Sequence, residues 1–323
     1  MISSKEFPIP KVSIGMPVYN GEKYIREALD SLLAQTYTDF ELIISDNAST
    51  DGTEAICREY MNRDTRIKYI RQPTNIGAHN NFLYLLQHAR GEYFKWFAHD
   101  DYLEPFFLEM IIQYLDDHDD VVLCMSDVKL MDDARQVLSV QCLEKIRDHK
   151  DWRDNRRKIF SFSNQLSMTT CFAIYGVYRL STIRAHGIRL IPGLWGQTLG
   201  NEYPFLNRVA LAGRIVALPS VQMTFRMHAG SLAVREQERT IGFITRYYAN
   251  YVYYIFDAIR VVLFSKLDIQ DKVSILFTIV FLDPWMLVFR MFKATVVKLI
   301  GLNAARKLKY AVLRLFPKTR EKR

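Results

Sequence analysis

Cysteine is scarce in this 323-residue chain. There are four, Cys57, Cys124, Cys142 and Cys171, with no CxxC spacing and no histidine placed beside them in a metal-ligand pattern. That argues against a zinc module or a disulfide framework and for isolated thiols in a reducing compartment. The opening stretch "MISSKEFPIPKVSIGMPVYN" lacks an apolar core of about 7–15 residues after a basic start, so no signal peptide is expected. A long membrane-spanning run is also missing. Val273–Leu282 offers only ten uncharged residues before Asp283 and Pro284, against the roughly 20 that a spanning helix needs.

A basic body is absent as well, although the net charge is +8. Eleven Lys/Arg and a single acid, Glu321, fall within 286–323, which leaves 32 basic against 34 acidic residues in 1–285. The body is nearly neutral, which argues against nucleic acid as a partner. The basic tail suits an anionic surface. Within it Arg306, Lys307, Lys309 and Arg314 share one side of a helical wheel, with Leu308, Val312 and Leu315 opposite, as in a helix lying in a membrane interface.

What is present is an alternation. "KVSIGMPV" reads as a buried strand, and Ile25, Ala28, Leu29, Leu32 and Leu33 then recur at helical spacing. "FELIIS" is a second strand. Asp51 and Glu54 have capping-box spacing ahead of the helix "EAICREYMNR". "RIKYIR" and "EYFKWFA" are further strands separated by the helix "NNFLYLLQHA"; a helix from Pro105 and the strand "VVLCMS" follow. Strands alternating with helices predict a mainly parallel α/β sheet flanked by helices, with ligands at the carboxyl ends of the strands. Polar residues collect at those ends: Tyr19 and Asn20, then Asp46, Asn75, and the adjacent Asp100 and Asp101. Two neighbouring carboxylates in such a place call for a cation, and oxygen ligands favour Mg2+ or Mn2+ joined to substrate phosphates.

Three motifs in order, "VSIGMPVYNGEKYIREALDSLLAQTYTDFELIISDNASTDGT", "NIGAHNNF" and "ARGEYFKWFAHDDYLEP", resemble the donor half of family 2 glycosyltransferases, which have the A-type glycosyltransferase fold. The resemblance implies that Pro17, Tyr19 and Asn20 line a nucleotide pocket, that Asp46 contacts the base, and that Asn75 and Gly77 shape the loop above it. It places Asp100 and Asp101 at the metal-binding acidic motif, with Ala98 where the family more often has an acid, and leaves the part played by His99 open. Further on, "GNEYPFLNRVALAGRIVALPSVQMTFRMHAGSLA" is similar to the acceptor-side segment. Glu202 falls at the catalytic-base position, with a helix-terminal acid as the plainer alternative. Arg226 and His228 fall at the Arg-x-His element, and Arg179 is a weaker acceptor-side candidate.

The reading is therefore a catalytic domain over 1–240, with a donor half at about 11–130 and an acceptor half at 131–240, followed by a helical, basic, membrane-associating extension over 241–323. Its implied activity is inverting transfer of a sugar from a nucleotide-diphosphate sugar to a hydroxyl of a glycan or glycolipid. UDP-sugars and dTDP-rhamnose are the donors favoured by family habit, and cell-surface polysaccharide or lipopolysaccharide assembly is the setting. The expected location is the cytoplasm, peripherally on the inner face of the cell membrane. Two rivals are a non-catalytic descendant that binds nucleotide sugars and a sugar-nucleotide nucleotidyltransferase. For the latter, "GMPVYNGEKY" lacks the glycine-rich phosphate loop.

Overall fold

The structure is a computed structural model and describes residues 9–147, 172–190, 202–228 and 253–282. Its centre is a nine-stranded sheet in the order β3-β2-β1-β4-β8-β6-β9-β5, with β7 paired to β6. The strands are β1 (Val12–Val18), β2 (Phe40–Asp46), β3 (Ile67–Arg71), β4 (Tyr93–Trp96), β5 (Tyr102–Leu103), β6 (Val121–Asp132), β7 (Val137–Gln141), β8 (Val177–Arg179) and β9 (Arg214–Met227). β1 and β2 are buried at every position, as strands covered on both faces must be, which is why they read as apolar runs.

Side chains alternate across the strands and feed two cores. On one face Ile14, Met16, Leu42 and Ile44 pack with α1 (Ile25–Leu33), α2 (Thr53–Arg63) and α4 (Phe107–Asp117). On the other, Ile43, Phe94 and Trp96 pack with α3 (Ala78–His88), the helix Glu202–Ala212, and residues Ala258, Val262, Ile275 and Ile279 of the C-terminal helices. Trp96 is the hub of that second core. It is fully buried and meets Phe94, Tyr178 and Phe205 edge-on at 4.7, 5.7 and 5.4 Å. Such aromatic pairs add about 0.5–1.5 kcal/mol each beyond area burial.

The parallel expectation holds for β3, β2, β1 and β4 and for the pair β6 and β9. Between β4 and β6, however, the three-residue β8 runs antiparallel to both neighbours. "FAIYGVYRL" carries β8 into the sheet, and the sheet becomes mixed there. "GRIVALP" opens onto the 14-residue β9. The capping box does not form: Gly52 is the N-cap of α2, and Asp51 instead accepts from the Thr53 N–H at 3.1 Å and the Glu22 N–H at 3.1 Å. Arg179 sits opposite Tyr93, at the amino-terminal end of β4, and donates to the carbonyls of Leu115, His118 and Val121. It braces the edge remote from the acids, which corrects its acceptor-side placement. Among the described residues no helix is long and apolar enough to cross a membrane. The charged stretch 151–160, Cys171 and the basic tail 286–323 lie outside the described residues.

Candidate active site

The polar residues singled out in the sequence meet along the carboxyl ends of β1, β2 and β4. Pairing between β1 and β4 ends at Gly15 and Trp96, so Pro17, which has no N–H to give, lies beyond the ladder to β4 and faces only Ser45. Tyr19 follows, about half exposed. Asn20 has φ 52°, a left-handed conformation that Asn tolerates well. Its carboxamide oxygen accepts the Thr50 N–H at 2.8 Å, and its own N–H donates to Ser49 Oγ at 2.9 Å. The loops after β1 and β2 are therefore zipped together.

Asp46 closes β2 and is fully buried. Oδ1 accepts the Ser49 N–H at 2.8 Å; Oδ2 accepts Tyr69 OH at 2.6 Å and Arg71 at 3.1 Å. Both oxygens are engaged in shaping the loop and the side chain is fully buried, so a direct contact from Asp46 to a base requires the loop to move. Its neighbour Asn47 carries the loop onward. Its Nδ2 donates to Asn75 Oδ1 at 2.9 Å, and its Oδ1 accepts the Ile76 N–H at 2.7 Å. Asn75 also takes the Gly77 N–H at 2.9 Å, and Gly77 adopts φ 80°, which glycine enters without strain, to start α3.

The acids stand just past β4. Asp101 is 1% exposed; its Oδ1 accepts the Arg226 N–H at 2.9 Å, while its Oδ2 is buried with no hydrogen-bond partner among the described residues. Asp100 lies 2.9 Å from His228 Nε2 through its Oδ2, and its carbonyl accepts Arg226 Nε at 3.0 Å. β9 thus delivers Arg226 and His228 to the acidic turn. β5 fastens the segment after the acids to the same strand, pairing Tyr102 with Thr224 and Leu103 with Met223. The His99 ring packs against the Gly21 backbone, where an added Cβ would come within 2.6 Å of it.

The two carboxyls are driven apart in proton affinity. Burial would raise Asp100, but the hydrogen bond from His228 and the charges of His99 and His228 outweigh it and leave the carboxyl below its usual range. Burial and the charge of Asp100 push Asp101 well above its usual range, against the opposing pull of the Arg226 N–H, Lys95 and Arg226. A buried acid with an unpartnered oxygen beside an ionised one is a pair that a divalent cation would suit. Asp100 and Asp101 therefore fit a Mg2+ or Mn2+ ion as oxygen ligands. Among the described residues no three His, Cys, Asp or Glu are grouped to hold a metal alone. That is compatible with an ion whose remaining ligands are phosphates and water.

Glu202 is the first residue of the helix Glu202–Ala212, as expected; its side chain lies outside the described residues. Sequence reasoning missed three nearby residues. Lys95, wholly buried on β4, donates to the Tyr175 carbonyl; burial brings its ammonium down to about 7, with the charge of Asp101 opposing that fall. A lysine inside the apolar run "YFKWF" was the available signal, because lysine is almost never fully buried unless paired. Tyr24 and Glu27, spaced i and i+3 at the start of α1, touch Arg226 and His228.

Residues 13–179 match the family model described as Glycosyl transferase family 2. An uncharacterized glycosyltransferase of Rickettsia typhi, RT0329, is 42% identical over 118 residues, covering 36% of each chain. Abequosyltransferase RfbV of Salmonella typhimurium is 32% identical over 174 residues, 52% of this chain and 50% of that one. The chain thus spans about a third to a half of the length of these curated relatives. S. aureus TarS in complex with UDP-GlcNAc superposes with TM-score 0.62 at 22% identity, over 82% of this chain and 70% of that chain. The mannosyltransferase PcManGT from Pyrobaculum calidifontis, in complex with GDP-Man and Mn2+, superposes with TM-score 0.58 at 17% identity, over 95% and 81%. At these identities the superpositions carry the fold, a mixed α/β sheet of the A-type glycosyltransferase kind. The family model spans more than half of the sequence, and on that ground the chain belongs to glycosyl transferase family 2.

Proposed function

We propose that the protein is an inverting glycosyltransferase that moves a sugar from a nucleotide-diphosphate sugar to a hydroxyl of a glycan or glycolipid. The observation that carries this reading is the Asp100–Asp101 turn, with its unpartnered buried oxygen held against Arg226 and His228 at the carboxyl end of β4. Asp101 and Asp100 would hold Mg2+ or Mn2+, which when bound would supply positive charge to the leaving nucleoside diphosphate. His228 and Arg226 orient the acids and add positive charge on the same side. Pro17, Tyr19, Asn20, Asn75 and Gly77 form the nucleotide end, with Asp46 acting through the loop it anchors. Glu202, at its helix N-terminus, takes the proton of the acceptor hydroxyl as that oxygen attacks the anomeric carbon.

The setting proposed is cell-surface polysaccharide or lipopolysaccharide assembly, as the family resemblance implies. UDP-sugars and dTDP-rhamnose are the first donors to try, the former because TarS binds UDP-GlcNAc. The catalytic domain spans 1–240, with residues 253–282 packed into its second core through Ala258, Val262, Ile275 and Ile279, and the basic tail 286–323 at the end of the 241–323 extension attaches it peripherally to the inner face of the cell membrane. Deleting 286–323 should release the protein from anionic vesicles, and undiminished binding would remove the tail from the account.

A thermal-shift screen of nucleotide sugars with and without Mn2+ tests the function directly, because a ligand selective for the native state raises the midpoint. A Mn2+-dependent rise with one nucleotide family is expected. No rise with any nucleotide sugar would overturn the proposal.

A further inference from the structure

Arg226 is 4% exposed, and a guanidinium so buried requires a carboxylate to balance it. That carboxylate comes from another part of the fold. Glu27, in the first turn of α1, accepts from the Arg226 guanidinium at 2.6 Å. Two further donors of Arg226 face the acids, its N–H on Asp101 Oδ1 and its Nε on the Asp100 carbonyl. The Tyr24 ring lies 5.1 Å from the guanidinium and 4.5 Å from the His228 ring. Around this contact the β6–β7 turn closes a clamp. Asp133 accepts Tyr24 OH at 2.8 Å and Lys23 Nζ at 3.1 Å, and Arg135 reaches the second Glu27 oxygen at 3.2 Å.

We infer that Glu27 is a positioning residue, one that keeps the Arg226 guanidinium turned away from the carboxylates of Asp100 and Asp101 and so keeps them open to a divalent cation. This rests on the reading of the acidic turn as an ion-and-diphosphate site. The physical reason is competition. An arginine released from Glu27 has two carboxylates within reach of its own backbone, and a guanidinium–carboxylate pair would occupy the oxygens that the cation needs. Groups that orient metal ligands in this indirect way typically change affinity by about 10- to 100-fold when altered.

The test uses the full chain, Mn2+ and UDP. Glu27→Gln keeps the shape and an acceptor oxygen but removes the charge. Arg26→Ala, on the same helix as Glu27 but touching Glu59 and the Tyr60 ring of α2 and none of the site residues named here, is the control. Glu27→Gln should weaken Mn2+-dependent UDP binding about 10-fold or more by calorimetry. It should also speed amide exchange of the ligand-free protein within 98–103 and 222–228, with Arg26→Ala doing neither. Should Glu27→Gln fold poorly, Glu27→Asp, which keeps the charge one methylene further back, should show a smaller loss in the same direction. Wild-type affinity in Glu27→Gln would overturn the inference. A wild-type chain that binds no nucleoside diphosphate with Mn2+ would instead overturn the reading of the site on which the inference stands.

Discussion

The two halves of the sheet are built from different kinds of information. The donor half, β1 to β4, is parallel; β1, β2 and β4 are buried throughout and β3, at the sheet edge, is partly exposed, so its strands read as local, largely apolar runs and each helix as a local periodicity. Every polar residue at its carboxyl edge follows a strand that can be read from a few neighbouring residues. The acceptor half depends on pairings distant in sequence. β8 is three residues long and antiparallel to its partners, and β9 meets β6 across some ninety positions of chain. The site lies where the halves join: Asp100 and Asp101 come from the first, Arg226 and His228 from the second.

The largest expected effect probes the half whose chemistry is least visible. Glu202→Gln should lower turnover by about 10²–10⁴-fold, the usual contribution of a general base, while donor binding measured by calorimetry stays near wild type. Transfer at the normal rate would move the base to another residue and weaken the comparison. A smaller effect sharpens the comparison through the hub shared by both halves. Trp96 touches Phe94 of β4, Tyr178 of β8 and Phe205 of the helix Glu202–Ala212. Trp96→Ala should cost about 3–5 kcal/mol, and calorimetry should still show a single unfolding transition at a lower midpoint. Two separated transitions would show that the halves fold independently.

Legibility followed the same division. Asn20, Asp46, Asn75, Asp100 and Asp101 could be placed from strand ends alone, and the structure brings them to one edge of the sheet. Arg226 and His228 came from motif likeness, since nothing local in "MTFRMHAG" announces that β9 will run to the acids. Glu27 and Tyr24 stayed hidden because their partners lie some two hundred residues away, and an acid in the first turn of a helix already has an adequate local explanation in the helix dipole. Lys95 could have been suspected from its apolar neighbours, but its relation to Asp101 is a property of the fold. The capping box failed for a related reason. Asp51 has the spacing, yet it is also engaged by the Glu22 N–H from the loop after β1, and Gly52 rather than Asp51 takes the N-cap position of α2.

The central claim is that the acidic turn is an ion site and not a solvated loop. Asp101→Asn keeps the size of the side chain and one oxygen for the Arg226 N–H while withdrawing the charge from the unpartnered position. The direct measurement is Mn2+-dependent nucleotide binding by calorimetry, wild type against Asp101→Asn, with folding checked by thermal midpoint. The account predicts a folded variant whose Mn2+-dependent binding is lost, with transfer reduced on the order of 10²–10³-fold or more. A folded variant that binds nucleotide with the same dependence on Mn2+ as the wild type would contradict it.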